Sequence, residues 1–188
     1  MHFETPFVEY LISGTHTSIW LLMVVMAILG LPLQSLLGLN VGLVVLFIPL
    51  AYTLGALIST LTALILNPFR VRIRNSLFPY EHYKDEMIAY SSSDLYAAYT
   101  ARMHRVRLMG ASIFNWLFLA VALLFHGDFT KSPYYVSVII IPLLLSVLSA
   151  IAWYSLIKRL LEFRKNAIDI IREESKKRAH SKIPKKNS

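Results

Sequence analysis

The stretch SIWLLMVVMAILGLPLQSLLGLNVGLVVLFIPLAYTLGALISTLTALILN, residues 18–67, holds no Asp, Glu, Lys or Arg, and the charge-free run around it extends from Tyr10 to Phe69. A helix crosses about 30 Å of hydrocarbon in roughly 20 residues, because in lipid every backbone amide must be satisfied inside its own segment. The stretch is too long for one crossing and long enough for two. Gly38-Leu39-Asn40 supplies the turn, so spans are expected at 18–37 and 41–67.

Two further charge-free runs follow, 108–127 and 132–157, giving expected spans at 108–126 and 134–157. The short alternating segments of a membrane barrel are absent. With 56% apolar residues gathered into these runs, the expected fold is an all-α integral membrane four-helix bundle. Glu4 and Glu9 stand where a secretory signal would carry basic residues, so the first run reads as a retained span. Residues 1–17 are then an N-terminal arm, with Phe7, Val8, Tyr10, Leu11 and Ile12 suited to lying on a membrane surface.

Lys and Arg number seven in 70–107 and eleven in 158–186, against Lys131 alone elsewhere. The positive-inside rule therefore places both termini and the loop 68–107 in the cytoplasm of a cell with the chain in its inner membrane. Pro68 and Pro79 punctuate the start of that loop, a short helix is expected over Tyr80–Tyr90, and Ser91-Ser92-Ser93-Asp94 carries a helix-capping pattern. From Leu95 no breaker intervenes before the third span, and the fourth continues past Lys158 to about Arg178. Spans three and four should thus carry cytoplasmic helical extensions, the second within a basic segment 158–188 whose last residues look disordered.

Within the spans, Ala51, Gly55, Ser59 and Ala63 recur every fourth residue and cut a groove along one helix face, for packing inside a subunit or between subunits. Asn115 is the costliest intramembrane residue to bury and should face a partner group across a helix interface. No Asp, Glu, His, Lys or Arg lies near a span centre, which disfavours selective transport of charged substrates. Thr53 and Thr60 could still line an oligomeric pore.

At the cytoplasmic boundary, Arg70, Arg72 and Arg74 end the second span, and Arg102, Arg105 and Arg107 precede the third, with Tyr96 and Tyr99 further out. Such a surface anchors topology at anionic lipid headgroups, or presents a basic and aromatic face to a protein partner, a nucleotide or nucleic acid. In the last helix Leu156, Leu160, Phe163, Ala167 and Ile170 form a two-heptad apolar stripe, for self-association or for packing on the central loop. His82, Asp85 and Glu86 share one side of the loop helix but complete no metal signature, and a solvated face explains them. Cysteine is absent, as are nucleophile-elbow, zinc-protease and phosphate-loop patterns. Neither an enzyme nor a bound cofactor or metal is expected.

In span count, size and basic cytoplasmic helices the chain resembles the membrane subunits of bacterial antiphage defence systems, such as the four-span component of Kiwa. That resemblance implies a membrane sensor or anchor that recruits a cytoplasmic effector through 80–107 and 158–179, in keeping with the nonenzymatic inner-membrane homo-oligomer that a small basic bundle leads us to expect. An oligomeric pore and an immunity protein against a membrane-acting toxin are the alternatives.

Overall fold

The computed structural model describes residues 4–31, 41–77, 92–125 and 133–181, with side chains described over 7–31, 47–77, 92–125 and 133–173. Four helices and no strand occupy these residues: α1 Glu4–Leu29, α2 Val41–Leu77, α3 Ser93–Phe125 and α4 Tyr135–Ser181. Each is long and apolar enough to cross a membrane. The exterior supports that reading. Leu57, Leu64, Val136, Ile141, Leu144, Leu148 and Ile151 all point outward, where a water-soluble bundle would place charge.

The chain folds as two antiparallel hairpins, α1 with α2 and α3 with α4, and α3 touches all three other helices. The first hairpin is held by backbone proximity. A Cβ on Gly14 would sit 1.5 Å from the Ala51 carbonyl oxygen, and one on Gly55 would sit 1.8 Å from that of Tyr10. Such an approach lets dispersion contacts and backbone dipoles replace the hydrophobic drive that lipid removes. The second hairpin buries Val106, Trp153, Ile157, Leu160, Leu161 and Ile168 in the main apolar cluster. A smaller cluster of Met23, Ala122 and Leu123 lies towards the other end, beneath Trp20 and Val138.

Three boundaries differ from the sequence reading. No break separates an arm at 1–17 from the first span, because α1 is continuous from Glu4 and ends in a left-handed cap at Gly30, φ 66°. Glu9, which reads as too polar for a span, is 6% exposed and turned onto α3. Pro68 does not stop α2, which runs on to Leu77. Leu66, Ile73 and Leu77 lie on one stripe packed against the main cluster, and that packing offsets the amide the proline removes. Finally, α3 begins at Ser93 with Ser92 as its cap, the Leu95 amide donating to Ser92 Oγ at 3.3 Å. The C-terminal residues from Lys176, which read as disordered, are helical as far as Ser181; the 38–40 turn, Pro32, the 80–90 helix with His82, Asp85 and Glu86, and residues 182–188 fall outside the described residues.

Candidate functional site: a basic groove between α3 and α4

Beyond their apolar stretches α3 and α4 run side by side as amphipathic helices. Leu160, Leu161 and Ile168 of α4 turn inward, so the flanking side chains of the two helices edge a groove. Its cavity is about 440 Å³, lined by Arg102 and Arg105 from α3 and by Leu156, Arg159, Leu160, Glu162, Phe163 and Asn166 from α4. The Arg102 guanidinium lies 4.0 Å above the Phe163 ring, and one of its nitrogens donates to the Ala98 carbonyl at 3.0 Å. Stacking fixes the planar cation while leaving N–H edges for an anion, a geometry that lysine would not provide. Among the described residues, neither Arg105 nor Arg159 is within ion-pair distance of an acid. Three arginines face Glu162 as the one acid lining the cavity, so the groove is cationic.

The remaining predicted residues divide among other faces. Tyr99 is buried in the main cluster, whereas Tyr96 is exposed. Arg70 donates to Met103 Sδ at 3.6 Å and, with Arg107, lines a separate crevice between α2 and α3. Arg72 is exposed, and Arg74 Nε donates to Asn75 Oδ1 at 3.3 Å. Of the α4 stripe, Leu160 and Ala167 are buried, Phe163 edges the groove, and Ile170 is 58% exposed. The inward face follows Ile157, Leu160, Leu161 and Ile168 and packs within the subunit.

Ala51 and Gly55 meet α1, Ser59 is buried beside the α2–α3 crevice, and Ala63 lies exposed at that crevice. Asn115 sits against α1. Its Nδ2 donates to the Ser13 carbonyl at 3.0 Å and its Oδ1 accepts from Trp20 Nε1 at 3.1 Å. Thr17 Oγ1 lies 2.9 Å from both Asn115 Oδ1 and the Ser13 carbonyl, so its single proton serves one of them at a time. Thr53 and Thr60 are exposed on α2 with their hydroxyls donating to their own helix, away from Asn115.

Comparison with known proteins leaves the site to be read on its own chemistry. No family model, curated protein or solved structure matches the chain.

Sequence reasoning missed Gly14, Ser13, Thr17 and Trp20, together with the contact of Glu9 Oε2 with His104 Nδ1 at 2.5 Å. A signal existed for the first three. Gly14 and Ser18, like Ser13 and Thr17, stand four apart and mark a small, polar helix face, but a span boundary drawn at Ser18 cut through it. Groups of three or more metal-ligating side chains are absent among the described residues. What the α3–α4 groove offers chemically is charge, one flat cation stacked on Phe163 and a rim amide, a set suited to holding carboxylates or phosphates by charge-assisted hydrogen bonds.

Proposed function

We propose that this protein is a nonenzymatic inner-membrane anchor or sensor with both termini in the cytoplasm, whose α3–α4 groove receives an acidic segment of a soluble partner. The observation that carries the reading is the groove itself: Arg102, Arg105 and Arg159 converge on about 440 Å³ from two helices that outrun their apolar stretches. Four candidate spans support insertion, and the distribution of Lys and Arg supports the orientation. The likeness to antiphage membrane subunits adds a class of partner, a cytoplasmic effector held near the membrane.

Two extended helices joined to the bundle through α3 are a rigid way to present such a surface. Because Ala51, Gly55 and Asn115 are occupied inside the subunit, a homo-oligomer would form through another surface, and the exposed Thr53-Leu57-Thr60-Leu64 face of α2 is the one we propose. Crosslinking in the native membrane, followed by mild detergent purification and mass spectrometry, tests the reading. A stoichiometric soluble protein lost on R102E/R105E/R159E substitution supports it. A homo-oligomer with no partner, conducting ions in proteoliposomes, would replace it with a pore.

A further inference from the structure

On the opposite face of α3 lies a second, smaller cavity of about 100 Å³, bounded by α2, α3 and α4 and unrelated to the groove. Its lining grades from charged to uncharged, with the hydroxyl residues Ser59 and Thr62 among the apolar ones. Arg70, Met103 and Arg107 stand at one end, and Ala63, Leu66, Gly110 and Trp153 at the other. Gly110 keeps it open, since a Cβ there would meet Thr62 Cγ2 at 3.0 Å and Leu66 Cδ1 at 3.3 Å.

Two features of the lining call for a ligand. Thr62 is 3% exposed, and its hydroxyl oxygen has no hydrogen-bond partner. That departs from its neighbours, for Thr53 and Thr60 both donate to their own helix. Arg70 lies close enough to Arg107 and Arg74 to experience both as like charges, and its only hydrogen bond among the described residues is to a thioether. Glu9 is near Arg107, with Oε2 against His104 and Oε1 left without a hydrogen-bond partner, so it offsets part of the Arg107 charge and none of its oxygens is hydrogen-bonded to Arg70. Arg70 is half-buried and Arg107 exposed at the mouth of the crevice, and like charges brought this close favour an anion between them.

The geometry points to a seat for the phosphate of an anionic phospholipid, with the phosphodiester held by Arg70 and Arg107 and an ester or hydroxyl oxygen taking the Thr62 proton. A volume of about 100 Å³ admits a phosphate group but not acyl chains. The chains would leave past Ala63, which is exposed at the crevice, into the surrounding bilayer. Charge at the phosphate layer and carbon below it is the polarity of a lipid, and a nucleotide or peptide would leave the apolar end unmatched. This inference rests on membrane insertion but not on its direction, because phosphates line both leaflets. It also needs no protein partner.

Native mass spectrometry of the full-length protein released from nanodiscs of phosphatidylglycerol, of phosphatidylcholine, or of phosphatidylcholine with added inorganic phosphate provides the test. One phosphatidylglycerol should be retained, with tenfold or greater loss in R70Q/R107Q and a loss of about fivefold in Thr62→Val, one hydrogen bond's worth. R102Q/R105Q/R159Q should retain it unchanged, which separates this seat from the groove. Melting temperature checks that each variant is folded, and Thr62→Val, being nearly isosteric, serves if the double variant is not. Retention of inorganic phosphate in place of lipid, equal retention of phosphatidylcholine, or phosphatidylglycerol retention indifferent to both variants would overturn the proposal.

Discussion

At the scale of single residues, Asn115 shows how one polar side chain fixes the register of two hairpins. It binds the Ser13 carbonyl and Trp20 Nε1 of α1 while staying 4% exposed, so the parallel alignment of α1 and α3 is set where side-chain packing alone would permit sliding. Asn115→Ala should therefore lower stability in detergent by about 1–2 kcal/mol, because several partners lose their bonds together. Thr53→Ala, at an exposed hydroxyl that bonds only its own helix, should change it by less than about 0.5 kcal/mol. Thermal unfolding of the two variants compares them directly, and equal melting temperatures would deny Asn115 this role. That Asn115 required a partner was legible from the cost of burying an amide. Which partner it would find was not, since Ser13 and Trp20 are 102 and 95 residues away and only the folded bundle brings them together.

At the scale of elements, the α1–α2 hairpin depends on glycine for distance, and the α2–α3 contact does not. Adding a methyl group at Gly55 drives it into backbone, which cannot yield without the helices separating. Gly55→Ala should cost about 3 kcal/mol or more, and Gly110→Ala, whose neighbours are side-chain ends at 3.0–3.4 Å, under about 1 kcal/mol. Urea or thermal titration in mild detergent reads both. Comparable costs would mean that α1 and α2 do not approach so closely. The fourfold spacing of Ala51, Gly55, Ser59 and Ala63 made a groove on α2 legible, but its occupant was hidden because Gly14 had been assigned outside the span. Helix ends were misread for a related reason. Glu9 and Pro68 are local stop signals, and each is overridden by a tertiary contact: Glu9 by His104, and Pro68 by the burial of Ile73 and Leu77. Pro68→Ala should accordingly leave stability unchanged or raise it, since α2 already continues through that position.

At the scale of the whole molecule, the four long helices followed from charge-free lengths, because the cost of exposing backbone to lipid leaves few alternatives. The groove did not follow so simply. Arg102 and Arg105 were visible as basic residues, but their facing Arg159, Phe163 and Asn166 depends on the antiparallel pairing of α3 with α4, which no local pattern encodes. Reporter fusions at residues 1, 130 and 188 should read cytoplasm, outside and cytoplasm, and any other order would remove the groove from its proposed compartment. The central claim is that this groove docks an acidic segment of a soluble protein, and a photo-crosslinker placed at Asn166 in native membranes tests it most directly. The account predicts an adduct mapping to an acidic stretch of one soluble protein, lost in R102E/R105E/R159E and not formed from a crosslinker at the outward-facing Val147 of the apolar stretch. Adducts at Asn166 only with lipid or with a second copy of the chain, unchanged by the charge reversal, would contradict it.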